Sequence, residues 1–300
     1  MSQATQLKTH VVTGREPGPH LLITGGVHGD EFEPMVAIRR LVALPEMGQL
    51  RGTLTLVPVV NEGALARGHR TADDGLDLAR TCPGRPDGTI TEQTAHALST
   101  LIRAADYYID LHTGGTCLSV WPMAGYVLHP RADILDQQRR MARAFNLPVV
   151  WGTDPTLPGR SLSVARDAGV PAIYTEYLGG AQLSEAGVRA YVTGCLNVLG
   201  LLKMLDRLPP PSAVEWVVED PRPHSGHMQR CYPAPTAGCF EAAVELGQPI
   251  SPGQPLGCVV DPLGRQRHEV LSQQSGRILV LRTFPAVQPG DSLAVILEPV

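Results

Sequence analysis

The sequence has little lysine and no long apolar segment. Lysine occurs only at Lys8 and Lys203, so arginine supplies the other cationic side chains. The apolar runs are too short to form a membrane-spanning helix. The formal charge of −4 gives no basic surface of the kind that attracts nucleic acid. We therefore expect neither a membrane nor a nucleic acid as a partner.

Cysteine is present but shows no metal-binding or disulfide pattern. None of the six cysteines belongs to a CxxC pair, so a zinc–thiolate site is not expected. We interpret the cysteines as reduced, mostly buried thiols. The N-terminus, MSQATQLKTH, lacks the charged and apolar regions of a secretory signal. These features favour a cytoplasmic protein.

Residues 1 to about 205 alternate between strand-like and helix-like segments. LLITGG, GTLTLVPVV, YYIDLH and PAIYTEY are typical of buried strands, whereas EPMVAIRRLVAL and TEQTAHALSTLIRAA have helical periodicity. Thr89 or Thr91 is the expected N-cap of the second helix. The alternation predicts an α/β fold in which helices flank a mixed, mostly parallel sheet. Ligands of such sheets bind where the strands end.

A proline-rich stretch separates two regions of different character. RLPPPSA, residues 207–213, predicts a stiff linker. After it come short strand-like runs divided by glycine and proline, as in a small β sandwich. We therefore predict an α/β domain over residues 1–207 and an all-β domain over residues 208–300.

His28 and Glu31 stand three residues apart in ITGGVHGDE, where a predicted strand meets a helix. Imidazole and carboxylate both bind zinc, and the neighbouring glycines allow a turn that aims them at one point. His112, which ends the strand of YYIDLHTGG, is the expected third ligand, with Asp110 orienting a ligand from behind. Three protein ligands leave a position for water, as in catalytic zinc sites. The alternative for His28 and Glu31 is a solvated pair on a helix face.

Glu176 lies at the end of another apolar strand, in PAIYTEYLGG. A buried carboxylate is costly unless it is paired or used, so Glu176 is either a general base or the partner of an arginine. The segment Asn61–Thr81 has no apolar pattern and predicts a long functional loop. The loop offers Arg67, Arg70 and Arg80, and arginines beside a zinc could hold a substrate carboxylate or polarise a carbonyl group. A solvated loop is the alternative.

Five motifs in this order give the chain a resemblance to a known family. GGVHGDE, an asparagine followed nine residues later by arginine, DLAR, DLHTGG and PAIYTE resemble the motifs of the succinylglutamate desuccinylase/aspartoacylase family. The resemblance extends over the whole chain. It implies a carboxypeptidase-like fold, a C-terminal β domain of lipoyl or biotinyl type, and hydrolysis of the amide bond of a small N-acyl amino acid with one zinc ion per chain.

The resemblance also assigns roles to individual residues. His28, Glu31 and His112 match the zinc ligands. Glu176 matches the general base, which takes a proton from the attacking water and gives it to the leaving amine. Arg70 matches the arginine that polarises the scissile carbonyl group. The matches for substrate binding are Arg80, Arg160 and Asn61.

The chain departs from the family pattern at two places. Ala79 stands where the family usually has asparagine, which removes a polar contact and weakens the case for an acidic substrate. The second carboxylate-binding arginine is either Arg160 or Arg166, and Arg160 is the better local match.

No lysine follows Lys203, so the β domain cannot carry covalent biotin or lipoate. We expect the β domain to form one wall of the cleft, and Tyr232 or an arginine of this domain to reach the site.

Two other functions share most of these features. A zinc carboxypeptidase would use the same metal site to cleave small peptides, and a catalytically silent binding protein would keep the fold and the metal without turnover. An esterase acting on O-acyl groups is a variant of the deacylase. The oligomeric state is open, and a homo-oligomer is compatible with the sequence.

Overall fold

Fifteen strands form two sheets in the computed structural model, which describes residues 5–228 and 231–298. The strands are β1 (His10–Thr13), β2 (Glu16–Thr24), β3 (Arg51–Val57), β4 (Tyr107–His112), β5 (Leu118–Val127), β6 (Val149–Thr153), β7 (Ala172–Gly179), β8 (Trp216–Glu219), β9 (Gly238–Ala242), β10 (Pro249–Ile250), β11 (Pro255–Val260), β12 (Arg267–Leu271), β13 (Gly276–Arg282), β14 (Ala286–Val287) and β15 (Ala294–Leu297). Eleven of them belong to one large sheet, whose main path runs β1-β3-β2-β4-β7-β5-β13-β10.

Six α-helices and two short 3-10 helices connect the strands of the described residues. The α-helices are α1 (Phe32–Val42), α2 (Glu62–Arg67), α3 (Ile90–Arg103), α4 (Ala132–Phe145), α5 (Ser161–Ala168) and α6 (Glu185–Leu201). Thr89, rather than Thr91, caps α3: its side chain accepts from the Glu92 backbone N–H, and the Glu92 side chain accepts from the Thr89 N–H. Among these helices, none combines the length and the apolarity needed to cross a membrane.

The centre of the large sheet is parallel and buried on both faces. Strands β3, β2, β4 and β7 run parallel, and β5 runs antiparallel to β7. Alternate residues of β2 enter different cores: Leu21 and Ile23 pack with α1, α4 and α6, whereas Leu22 packs with α3 and α5. A strand covered on both faces is apolar without interruption, as LLI is. The predicted mixed α/β fold is therefore confirmed.

Strand β5 joins the two regions of the chain. One edge of β5 pairs with β7. Its other edge pairs with β13 over residues 118–120 and with β6 over residues 123–127. Pro122 lies between these two stretches, where the pairing register shifts. Proline has no N–H to donate to a neighbouring strand, which suits it to this break in the ladder.

The C-terminal region divides between the two sheets. Strands β12, β11, β9 and β14 form a separate antiparallel sheet. Strands β10, β13 and β15 instead extend the large sheet. Strand β8, which lies beyond the predicted boundary at residue 207, also joins the large sheet by pairing in parallel with β6. An independent domain over residues 208–300 stays a prediction.

The segment 61–81 is more ordered than the sequence predicts. It contains α2 and a 3-10 helix, Leu78–Arg80. The Asn61 side chain caps α2 by accepting from the Ala64 N–H at 3.1 Å, and Gly68 ends it in a left-handed conformation with φ of 57°. The helix has six residues and buries only Ala64 among them. A helix this short leaves no apolar period in the sequence, which explains why the sequence predicted a loop throughout this segment.

Candidate active site

The predicted site residues meet at the carboxyl ends of three parallel strands. His28 and Glu31 follow β2, His112 ends β4, and Glu176 lies on β7. His112 and Glu176 occupy paired positions of β4 and β7. The turn after β2 comes close to α2, because a side chain on Gly29 would lie 2.0 Å from the Ala64 backbone. This packing fixes the start of the turn that aims His28 and Glu31 at the strand ends.

Three side chains form a tight buried group that could hold a metal ion. One ligand atom from each of His28, Glu31 and His112 lies within 4.8 Å of the others, and all three residues are buried. The Nδ1 atom of His28 is 2.6 Å from Glu31 Oε1, and the Nδ1 atom of His112 is 3.0 Å from Glu31 Oε2. Two imidazoles and one carboxylate are a donor set of catalytic zinc sites.

The Nε2 atom of each imidazole lies beside a further carboxylate. The Nε2 atom of His28 lies 3.0 Å from Asp77 Oδ1, and the Nε2 atom of His112 lies 3.1 Å from Asp110 Oδ2. Asp110 is itself fixed, because Thr24 Oγ1 donates to it at 2.8 Å and the Ser161 hydroxyl donates to its other oxygen. An Nε2–H bonded to a carboxylate leaves Nδ1 free for a metal ion. The expected orienting role of Asp110 agrees with this geometry.

Burial and neighbouring charges move the pKa values of the two central glutamates in opposite directions. Burial alone raises the pKa of Glu31, but His28 and His112 outweigh it and hold the pKa below its ordinary value. Burial raises the pKa of Glu176 well above its ordinary value, and the charge of His112 opposes the shift only in part. Glu176 Oε2 is buried and has no hydrogen-bond partner among the described residues. The carboxyl group of Glu31 therefore favours its charged form, whereas that of Glu176 favours its protonated form.

Arg70 faces the His–Glu–His group and is fixed by Asp77. Its Nε and Nη2 atoms donate to Asp77 Oδ2 at 3.1 Å and 3.0 Å. Its Nη1 atom lies 3.4 Å from His28 Nδ1 and 3.9 Å from Glu31 Oε1. Burial opposes the charge of Arg70, but Asp77 and Glu31 together raise its pKa above the ordinary value. A fixed cation thus borders the place where the ligand atoms converge.

The other predicted substrate-binding residues differ in placement. Arg80 and Arg160 both line the same cavity, and Arg80 Nη1 also donates to the Ala79 carbonyl at 2.7 Å. The guanidinium of Arg160 makes no hydrogen bond or ion pair with another described residue, and burial lowers its pKa. Asn61 is 3% exposed, caps α2 and is not one of the described residues that line the cavity. The structure thus gives Asn61 a structural role.

A cavity of about 570 Å³ lies over these groups and has walls from both regions of the chain. The described residues that the C-terminal region supplies are Gly226, Met228, Arg282, Phe284, Asp291 and Ser292. Arg282 is the one arginine among the described residues of this region that lines the cavity, and it donates to Asp291 Oδ2 at 3.0 Å. Tyr232 is not part of the described wall, and its hydroxyl donates to Gln274 at 2.9 Å. The C-terminal region closes one side of the cleft.

Sequence analysis missed three residues of the cavity region. Asp77 holds both His28 and Arg70, Asp30 lines the wall and accepts from Thr116, and Tyr174 lies two residues before Glu176. Asp30 and Asp77 lie inside the motifs GGVHGDE and DLAR, so their position beside assigned residues was an available signal. The signal for Tyr174 was weaker: it lies two residues before Glu176 on the same strand, and such residues share a face of the sheet.

The chain is similar to characterised proteins over nearly its whole length. The family model described as "Succinylglutamate desuccinylase/Aspartoacylase catalytic domain" matches residues 17–202. N-alpha-acetyl-L-2,4-diaminobutyric acid deacetylase of Halomonas elongata is 32% identical over 303 residues, which cover 96% of this chain and 85% of that protein.

Solved structures show the same likeness. The product-bound ectoine utilization protein EutE (DoeB) of Ruegeria pomeroyi superposes with a TM-score of 0.88 at 28% identity, covering 97% of this chain and 88% of that chain. A succinylglutamate desuccinylase/aspartoacylase from Rhodobacter sphaeroides gives a TM-score of 0.86 at 26% identity, covering 97% of this chain and 89% of that chain. The chain belongs to the succinylglutamate desuccinylase/aspartoacylase family.

Proposed function

We propose that this protein is a zinc-dependent amidohydrolase that removes the acyl group from a small N-acyl amino acid. The observation that carries the proposal is the buried group of His28, Glu31 and His112 beside the unpartnered carboxyl group of Glu176. The family consists of deacylases, and one relative is named as a deacetylase of an N-acetyl diamino acid. Zinc is preferred because two imidazoles and a carboxylate suit it.

The three ligand residues would hold the ion through His28 Nδ1, His112 Nδ1 and the Glu31 carboxylate. When bound, zinc supplies a Lewis acid that lowers the pKa of water and polarises a carbonyl oxygen. Asp77 and Asp110 keep both Nδ1 atoms turned inward by accepting from the Nε2–H groups.

Glu176 is the proposed proton carrier of the reaction. Its carboxylate takes a proton from the attacking water and later gives it to the nitrogen of the leaving amine. A buried carboxyl group with a raised pKa accepts and returns a proton more readily at neutral pH than an exposed one. Because Glu176 Oε2 has no described partner, it has a free lone pair for this transfer.

The arginines of the cavity are proposed to orient the substrate. Arg70 donates to the oxygen of the scissile amide, where negative charge develops as the carbon becomes tetrahedral. Arg160 and Arg80 hold the carboxylate of the amino acid at the other side of the cavity. Ala79 lines the cavity without a polar side chain, which leaves room for a substrate side chain that is not acidic. An Nα-acetyl diamino acid is the first substrate to test, since the 32% identical relative is named for one.

The proposal extends to the setting of the reaction. Residues 208–300 are proposed to act as a lipoyl- or biotinyl-like β sandwich that limits the cleft to small substrates. The protein is proposed to work in the cytoplasm, where acyl amino acids are metabolites.

A substrate panel with zinc-loaded protein tests the function. It should contain Nα-acetyl-L-2,4-diaminobutyrate, N-acetylaspartate, N-succinylglutamate, an O-acetyl ester and short peptides with free C-termini. Release of the amino acid and the acyl acid from an N-acyl amino acid in equal amounts is the expected result. Cleavage of peptides alone would identify a carboxypeptidase instead, and no turnover by a protein that retains zinc would identify a binding protein.

A further inference from the structure

The phenol of Tyr174 faces the cavity without a partner. Tyr174 lines the same cavity as Glu176, and its hydroxyl makes no hydrogen bond with another described residue. Both residues lie on β7, two positions apart, so their side chains project from the same face of the sheet. Tyr174 is half-buried, and its hydroxyl has no protein partner to compete with a molecule in the cavity. The hydroxyl is therefore available to a ligand beside the proposed base.

Gly125 makes the space that the ring of Tyr174 occupies. The two residues are paired across β5 and β7. A Cβ atom on Gly125 would lie 2.3 Å from Cε1 of Tyr174 and 2.7 Å from its hydroxyl oxygen. The ring thus lies flat over the Gly125 backbone, and any larger residue there would displace it.

Arg160 lines the same cavity as this phenol, and its guanidinium has no hydrogen-bond or ion-pair partner among the described residues. Asp154 and Asp77 are the carboxylates whose charges act on it. Both acids are already engaged by other groups, because Asp154 accepts from Thr156 and from the His224 N–H, and Asp77 accepts from Arg70. No described carboxylate forms an ion pair with Arg160, and burial disfavours its charge.

We propose that Tyr174 is a substrate-binding residue that donates a hydrogen bond to the carboxylate gripped by Arg160. The inference rests on the proposed function, and it identifies the carboxylate as the group of the substrate that this end of the cavity binds. The Arg160 guanidinium can only donate and the phenol can donate beside it, so the pair suits a carboxylate better than a carboxamide, whose NH2 group finds no acceptor on Arg160 and whose oxygen carries no full charge. The distance along β7 between Tyr174 and Glu176 separates this subsite from the scissile bond.

The environment of the phenol keeps it a donor. Burial raises the pKa of Tyr174, the nearby Glu176 adds to the shift, and Arg160 opposes it. The hydroxyl is thus protonated throughout the neutral range. Its hydrogen bond to a carboxylate would be charge-assisted, and such bonds are stronger than those between neutral groups.

Tyr174→Phe tests the proposal because it removes the hydroxyl and keeps the ring over Gly125. With zinc-loaded full-length protein and Nα-acetyl-L-2,4-diaminobutyrate, we expect KM to rise about 10-fold or more while kcat changes about 2-fold at most. The preference for this substrate over its carboxamide should also fall, because the lost bond is stronger to a charged acceptor. In a Glu176→Gln background, which binds without turnover, the Kd measured by calorimetry should rise equally.

Two further variants make the test specific. Tyr126→Phe is the matched control, because Tyr126 is buried and its hydroxyl donates to Glu219 at 2.6 Å outside the cavity wall; its KM should match that of the wild type. Gly125→Ala should raise KM as Tyr174→Phe does, and should add little to the Tyr174→Phe variant. If the wild type hydrolyses the acid but Tyr174→Phe leaves KM and the acid preference unchanged, the inference is wrong and the proposed function stands. If the wild type neither hydrolyses nor binds any N-acyl amino acid, both are wrong.

Discussion

The carboxylate of Asp77 lies 3.0 Å from the Nε2 atom of His28, and its second oxygen accepts from Arg70. One side chain thereby fixes a proposed metal ligand and a proposed carbonyl-binding arginine at the same time. Its backbone position is fixed too, because the Thr81 hydroxyl donates to the Asp77 carbonyl at 2.7 Å. The start of the 3-10 helix is therefore part of the site's support.

Asp77→Asn should weaken both contacts. An amide has one acceptor oxygen where the carboxylate has two, and its NH2 group would face the Arg70 donors. We expect zinc affinity to fall about 10- to 100-fold, as for other losses of a partner behind a metal-bound histidine. Competition with a chromogenic chelator measures the affinity. Asp73→Asn, whose side chain is 92% exposed, is the control and should keep the wild-type value.

His112→Ala should abolish stoichiometric metal binding. It removes one of three converging ligand atoms, and two ligands hold zinc weakly. Metal analysis of the purified wild type should give about one zinc per chain, and the variant little. His96→Ala, on α3 and away from the cavity wall, serves as the control. Equal zinc in the wild type and in His112→Ala would contradict the proposed ligand set.

Glu176→Gln should separate binding from turnover. The amide has nearly the shape of the carboxyl group but cannot carry a proton, so kcat should fall about 100- to 10,000-fold while substrate and zinc still bind. Stopped-flow or endpoint assays of the released amine measure kcat. Glu33→Gln is a matched control because Glu33 is 1% exposed and outside the cavity wall. A Glu176→Gln variant with near wild-type kcat would exclude Glu176 as the proton carrier.

Glu219 should make stability depend on pH in the acid range. The hydrogen bond from Arg139 lowers the pKa of Glu219 below its ordinary value, because it outweighs the opposite effect of burial. The unfolded chain therefore binds more protons, so the contribution of Glu219 is complete above its unfolded-state pKa and is lost as the pH falls through its native pKa. Glu219→Gln should cost about 1 kcal/mol at pH 7 and progressively less in acid.

Denaturant unfolding at a series of pH values from neutral to acid measures this difference. Glu215→Gln is the control, because Glu215 lies four residues earlier and is exposed. A cost for Glu219→Gln that stays constant as the pH falls would show that the ionic contact with Arg139 does not supply the stability.

The position of the site could be predicted because the sequence marks its strand ends. His28, His112 and Glu176 each follow an apolar strand and precede glycine, and the ends of parallel strands meet at one edge of a sheet. The general α/β class followed from the same alternation. These signals are local, since each depends on the residues just before and after the position concerned.

The remaining features depend on contacts between distant segments. The role of Asp77 requires the approach of the 3-10 helix Leu78–Arg80 to His28, and the role of Tyr174 requires the space left by Gly125; neither contact appears in the local sequence. Asn61 was assigned to the substrate by position in a motif, whereas its side chain is used by the backbone of α2. The attachment of β8 and β13 to the large sheet joins residues more than sixty positions apart.

The pairing of β13 with residues 118–120 of β5 joins the two regions of the chain in one sheet. A chain that ended before the proline stretch would leave this part of β5 as an open edge, with unpaired N–H and carbonyl groups beside the apolar side chains of Leu118 and Val120. Such an edge recruits other strands, so the shortened chain should self-associate instead of surviving as a smaller hydrolase. In the full chain β13 covers this edge, so we expect the C-terminal region to protect the α/β region from aggregation as well as to line its cleft.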